Sequence, residues 1–301
     1  CVGYCEIDKY AKQAYEAMYD TRGELYFDDA RKIVSEQLPD FDLLVGGFPC
    51  QSFSIAGARK GFDDTRGTLF FEIARIASVK KPKYIFLENV PGMLNHDKGR
   101  TFETILRTLD GLGYNVCWQV LNIKNFGLLI KAKTKDGYQV AYPGDSIDTA
   151  FSGQNSRRGR VGNQIAHTLT TSATQAYYFI DLNPDPKLTE IARCITARHD
   201  SGISNRKAEH SGVFVESTDF TDDEKFAVAF IEPNGEVHIG RIRKLTPMEC
   251  WKLQGFTDDQ FDKAKATGLS DSRLYKMAGN AVTVNVISEI GKIIKKVNDK
   301  N

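Results

Sequence analysis

The sequence predicts an α/β fold, a doubly wound and mostly parallel sheet joined to a second, smaller β-rich domain. Three observations carry this. Short apolar runs end abruptly in turn residues, helical patterns alternate with them over the first 125 residues, and the texture changes near Gly127. Strand–helix–strand repetition of that kind builds a parallel sheet with its ligands at the carboxyl ends of the strands.

Asp42–Phe48 (DLLVGGF) is an apolar run closed by Pro49, the form of a strand buried on both faces. Thr68–Lys80 sets Leu69, Ile73, Ile76 and Ala77 at helical spacing, and Lys83–Glu88 (KYIFLE) is a second buried-strand run, closed by Asn89, Pro91 and Gly92. Thr101–Leu112 predicts a helix with Thr101 as N-cap and Gly113 at its end, and Asn115–Leu121 alternates toward a further strand. From Gly127 to about Ile239, short apolar pieces are separated by Gly, Asn, Ser and Thr, which reads as an irregular β-rich domain. Helical character returns at Thr246–Leu253, with Thr246 as cap and Pro247 in the first turn, and again at Val282–Lys296.

Composition excludes several classes. In 301 residues, 41% hydrophobic and 26% charged with 18 Phe, there is ample material for a core. No run approaches the roughly 18 apolar residues of a membrane helix. Six scattered cysteines form no CxxC pair, so neither a metal site nor a disulfide framework is expected, and a reduced, cytoplasmic setting is. Net charge is +1, but its distribution is uneven. Residues 1–120 carry 15 Lys/Arg against 17 Asp/Glu, whereas the 32 residues from Thr149 to Ile180 hold no acid and contain Arg157, Arg158 and Arg160. Arg241, Arg243, Lys244 and Lys252 form a second basic stretch. Such a region is either a footprint for a polyanion or a solvated loop.

Two residues stand where chemistry is expected. Cys50, in Phe48-Pro49-Cys50-Gln51, follows the first apolar strand, where a supported thiolate can act as a nucleophile; a cysteine taken alone is more often a core residue. Glu88 finishes the next apolar strand, a costly place for a carboxylate without a partner or a task. A nucleophile and a general acid at two strand ends make a working pair.

GGFPCQSFSIAG (46–57), LENVPGML (87–94), RKLTPMECWKLQGF (243–256) and MAGNAVTVNV (277–286) together resemble the ordered signature motifs of the DNA (cytosine-5)-methyltransferases of bacteria and phages. The resemblance is strong over about 1–127 and 240–301 and weak between. It implies a Rossmann-like fold, S-adenosylmethionine as methyl donor, and a specific short duplex DNA target acted on by a monomer. It implies Cys50 as the nucleophile toward cytosine C6 and Glu88 as the acid at N3, with a raised pKa from its apolar strand. A stacked base is out of reach of both, so the cytosine is expected to flip out under a lid formed by Ser52–Gly67.

For the cofactor the resemblance implies Glu6 at the ribose hydroxyls, Ile7 on the adenine ring and Asp29 at the adenine amino group, with Asp28 an adjacent rival. Asn280 and Val282 belong to a late Gly-Asn-x-Val element, and Phe48 and Leu69 are pocket walls or plain core. DNA contacts are expected from Gln51, Ser54, Arg157, Arg158, Arg160 and Arg243. The implied domains are 1–127 plus 268–301 for catalysis and cofactor, and 128–267 for target recognition, with DNA in the cleft between them.

Two departures stand out. The Phe-x-Gly-x-Gly loop of the family does not precede the first strand, and Leu128-Leu129-Ile130-Lys131 occupies the place of its Gln-x-Arg-x-Arg element. Gln154–Val161 has a similar look at altered spacing and is read with the recognition region. These departures keep open a catalytically inactive DNA-binding relative, and a tRNA-acting relative is the rival enzyme.

Overall fold

The structure, a computed structural model, describes residues 1–48, 69–121 and 237–299, and the strands at 128–131, 138–141, 146–148, 160–162, 178–181, 188–189, 211–216 and 227–231. The chain divides into two compact units, Cys1–Val120 and Leu121–Asn301.

In the first unit, β1 (Gly3–Cys5) runs parallel to β2 (Leu25–Phe27), with Cys5 opposite Phe27. Gly3 permits this pairing, because a Cβ there would lie 2.8 Å from the Leu25 carbonyl oxygen. The crossover is α1 (Lys9–Met18), started by Asp8, whose carboxylate accepts the Tyr10 N–H at 2.9 Å. After β2 the chain makes two 3₁₀ turns, Ala30–Lys32 and Ser35–Gln37, and enters β3 (Leu43–Gly47). Helix α2 (Leu69–Lys80) leads to β4 (Tyr84–Glu88), parallel to β3 with Gly47 opposite Glu88. A 3₁₀ stretch, Pro91–Gly99, then feeds α3 (Arg100–Gly111).

An aromatic core packs α2 and α3 against the β3–β4 pair. Phe48, Phe70, Phe71, Ile105 and Leu109 are buried against one another, with Ile73, Ile85, Leu87, Met93 and Tyr114 around them. The Phe48 and Phe70 rings lie 5.3 Å apart. Arg75 of α2 then pins the turns after β2. Its guanidinium donates to the Ile33 carbonyl and Ser35 hydroxyl, each at 2.9 Å, and to the Ala30 carbonyl at 3.1 Å.

Three expectations need correction. Thr101 is not the N-cap of α3. That position is Gly99, at φ +85, while Thr101 lies buried inside the helix with its hydroxyl 2.7 Å from His96 Nδ1. The segment Asn115–Leu121 has the alternation of a strand but joins no ladder among the described residues, and without a partner alternation alone makes no strand. Among the described residues β3 is covered on one face: Leu43 and Val45 are 41% and 61% exposed, while α2 packs on the Gly46 side, where Ile73 closes in.

In the second unit the described strands are all antiparallel. β5 (Leu128–Lys131) pairs β6 (Tyr138–Ala141), and β7 (Ser146–Asp148) pairs β8 (Arg160–Gly162). β9 (Tyr178–Asp181), β10 (Leu188–Thr189), β11 (Ser211–Glu216), β12 (Ala227–Ile231) and β13 (Val237–Lys244) form one sheet in the order β10-β9-β11-β13-β12. Four helices follow: α4 (Pro247–Leu253), α5 (Asp258–Ala266), α6 (Asp271–Asn280) and α7 (Val284–Asn298). Thr246 caps α4 with Pro247 in its first turn, as the sequence predicts. Sequence periodicity misses α5 and α6, each of which buries only two residues, Phe261 with Ala264 and Leu274 with Ala278. Their caps, Thr257 with Gln260 and then Ser270, are the signal that marks them.

Candidate active site

The parallel strands of the first unit end in acids. Glu6 follows β1, and its N–H donates to the Phe27 carbonyl at 3.0 Å, extending the ladder by one bond. Its carboxylate is steadied by the Asp8 N–H at 2.7 Å. Next to it Ile7 is 73% exposed, an apolar side chain at a strand end with nothing described over it. Across the ladder, Asp29 caps the turn after β2 and is paired with Arg31 at 2.6 Å. Hydrogen bonds from the Arg31 guanidinium and N–H hold its carboxyl down at about 2. Its rival Asp28 is tied to Lys32 at 2.6 Å. The thiol of Cys5 registers this convergence. Partial burial raises its pKa first, and then Asp29, Glu6 and Asp28 raise it further, so all three carboxylates bear on one point.

At the ends of β3 and β4 the groups differ in kind. Glu88 is half-buried, and that desolvation raises its carboxyl above the usual range. Opposite it stands Gly47, where an added Cβ would already touch Glu88 Oε2 at 3.5 Å. Asn89 joins the two strand ends. Its side-chain N–H donates to the Phe48 carbonyl at 2.6 Å, and its oxygen accepts the Val90 N–H at 2.9 Å. Phe48 therefore has two roles, a ring in the core and a carbonyl held at the strand end two residues before Cys50. Leu69 opens α2 and is 37% exposed. Cys50, Gln51, Ser54 and the Ser52–Gly67 loop lie outside the described residues, as do Arg157 and Arg158.

In the second unit Asn280 ends α6, exposed, and Val282 lies in the short link to α7. Arg243 grips Glu249 through two hydrogen bonds of 2.8 and 2.7 Å and donates to the Lys244 carbonyl, bracing the capping box of α4. Arg160 opens β8 opposite Asp148. Among the described residues no cluster could hold a metal ion, and no helix is long and apolar enough to cross a membrane.

Sequence reasoning misses Asn89 and Gln254. Asn89 reads only as a turn residue, although a side-chain amide directly after a strand-end acid is suited to bridging to the neighbouring strand. Gln254 sits in Leu-Gln-Gly-Phe, where its polarity inside an otherwise packed segment is the available sign.

Parallel strands that end in paired acids and a half-buried carboxyl define an α/β enzyme working at the carboxyl ends of its strands. A family model described as C-5 cytosine-specific DNA methylase matches residues 1–129 and 143–296, and the chain belongs to that family. Three relatives show the extent of the likeness. The type II methyltransferase M1.ScrFI of Lactococcus lactis subsp. cremoris is 36% identical over 300 residues, spanning 98% of this chain and 72% of that protein. M.NlaX of Neisseria lactamica is 36% identical over 307 residues, spanning 98% and 88%. M.HhaI of Haemophilus parahaemolyticus is 32% identical over 293 residues, spanning 96% and 86%. The chain is accordingly a DNA (cytosine-5)-methyltransferase with the Rossmann-like fold of such enzymes.

Proposed function

We propose that this chain transfers a methyl group from S-adenosylmethionine to C5 of a flipped-out cytosine in a specific short duplex DNA sequence, through a covalent bond between Cys50 and C6. The observation that supports it most is the joint at β3 and β4. A half-buried carboxyl with a raised pKa, Glu88, is followed directly by Asn89, which holds the carbonyl two residues before Cys50.

The residues fit the methyl donor. A carboxylate accepts from a ribose diol, and Glu6 stands at the end of β1 with its N–H bonded to the Phe27 carbonyl and its own carbonyl accepting the Tyr26 hydroxyl. Asp29 adds an ionised acceptor for an exocyclic amino group, and the exposed face of Ile7 suits a purine ring. Asn280 and Val282 are assigned to the same cofactor, with Leu69 and Phe48 as apolar walls. When bound, S-adenosylmethionine supplies a methyl group on a positively charged sulfur.

The remaining chemistry belongs to the chain. The Cys50 thiolate adds to C6 while Glu88 gives a proton or a hydrogen bond to N3, which turns C5 into an enamine carbon. Burial keeps Glu88 protonated to higher pH than an ordinary glutamate, and the role needs that proton. After C5 is methylated, its proton passes to water, the C5–C6 double bond re-forms as the Cys50 thiolate is expelled, and the N3 proton returns to Glu88. Gln51 and Ser54 are assigned to DNA beside the flipped base, two of Arg157, Arg158 and Arg160 to its phosphates with the third left to phosphate or base, and Arg243 to its backbone. The catalytic part is assigned to 1–127 and 268–301, with a doubly wound sheet, and target recognition to the smaller β-rich part, 128–267.

The test is transfer of tritium from labelled S-adenosylmethionine to duplex DNA or to tRNA. Label in duplex DNA alone, in 5-methylcytosine, is the expected result. Label in tRNA, or in neither, contradicts the proposal.

A further inference from the structure

The link between α6 and α7 carries Asn280 and Val282, and one side chain outside it holds both of its ends. Gln254 is buried, 7% exposed, directly after α4. Its side-chain N–H donates to the Ala278 carbonyl at 2.8 Å, in the last turn of α6. Its side-chain oxygen accepts the Thr283 hydroxyl at 2.7 Å, and Thr283 is itself 4% exposed. Its main-chain carbonyl accepts the Val284 N–H at 2.8 Å, the first residue of α7. Three bonds from one residue thus bracket positions 279–282. The next residue allows the close approach: Gly255 has φ +87, and a Cβ there would lie 3.1 Å from Asn285 Oδ1 and 3.2 Å from Val284 Cβ.

We propose that Gln254 is a positioning residue for the cofactor element, setting the spacing between the end of α6 and the start of α7 so that Asn280 and Val282 are presented in one conformation. This rests on the assignment of those two residues to S-adenosylmethionine. An uncharged amide suits this place, because it offers a donor to the Ala278 carbonyl and an acceptor to the Thr283 hydroxyl on the same planar group. Simple packing would need neither. The neighbouring Trp251 makes the contrast, since its Nε1–H donates to the Leu274 carbonyl at 2.9 Å, one turn earlier in α6 and away from the link. Trp251 locks the helices together; Gln254 fixes the link.

The experiment compares four variants of the full chain, Gln254→Met, Thr283→Val, Trp251→Phe and Asn280→Ala. It reads amide hydrogen exchange over 279–282 without ligand, the dissociation constant for S-adenosylmethionine by calorimetry, and thermal unfolding. Gln254→Met and Thr283→Val are expected to speed exchange over 279–282 and to weaken the cofactor about 10-fold, the size of losing a buried hydrogen bond. Trp251→Phe is expected to lower the unfolding temperature while leaving cofactor affinity within about 2-fold. If Gln254→Met does not fold, Thr283→Val decides alone. Should Asn280→Ala weaken the cofactor while Gln254→Met and Thr283→Val leave both affinity and exchange unchanged, the positioning role is overturned and the cofactor assignment stands. An Asn280→Ala protein of unchanged affinity removes the assignment itself, and the inference with it.

Discussion

Glu88 shows how one residue's position sets its chemistry. It ends a strand of apolar neighbours, and its partial burial raises its pKa. Glu88→Gln is expected to slow methyl transfer by about 100-fold or more, the scale of losing a general acid, with cofactor affinity little changed. Quench-flow measurement of the single-turnover rate checks this, and an unchanged rate removes Glu88 from the mechanism. The same shift makes a statement about stability. A raised folded-state pKa means the native protein binds this proton more tightly than the unfolded chain. Its contribution is therefore complete below the ordinary glutamate pKa of about 4.3 and is lost as pH rises from there through the raised value. The Gln variant cannot titrate, so its stability relative to the parent is expected to rise across that window. Urea unfolding at a series of pH values reads it, and a flat difference contradicts the assignment. Glu88 was legible at a strand end from its neighbours alone, because it is the charged residue at which the apolar run of KYIFLE stops and the turn begins. Asn89 was not legible: its bond to the Phe48 carbonyl spans 41 residues, and no local pattern encodes it.

Among the elements, β3, α2, β4, α4 and α7 were legible because each has an undiluted period or a capping pair. The cap of α3 was not, since Gly99 in the left-handed region does the work that a Thr side chain was expected to do. Alternation over Asn115–Leu121 misled for a different reason, because strands exist as pairs and the sequence of one does not contain its partner. What holds α2 to the sheet is better defined. Phe70 is fully buried at the centre of the aromatic core, touching Phe48 at one end and Phe71 at the other. Phe70→Ala is expected to cost about 3–5 kcal/mol by opening a cavity. Chemical denaturation of purified protein measures it. A loss below about 1 kcal/mol would mean that this core is not the one that holds α2 against β3.

Over the whole molecule, the legible part was the order of its motifs, and the part least open to reading was the role of the central residues. Arg157, Arg158 and Arg160 lie in a stretch of 32 residues without an acid, which is a charge pattern and not a geometry. If they hold phosphates, the triple Ala variant binds every duplex more weakly and loses about one unit of salt slope per contact. Unchanged affinity and slope across a salt series would make the cluster a solvated loop. The central claim is narrower than this and concerns one sulfur atom. Duplex DNA carrying 5-fluorocytosine at the target tests it, because fluorine at C5 cannot leave as a proton and the Cys50–C6 bond then persists. With S-adenosylmethionine present, the parent protein is expected to form a complex with this DNA that survives denaturation, and Cys50→Ser to form none. A denaturation-resistant complex formed by Cys50→Ser would contradict the account.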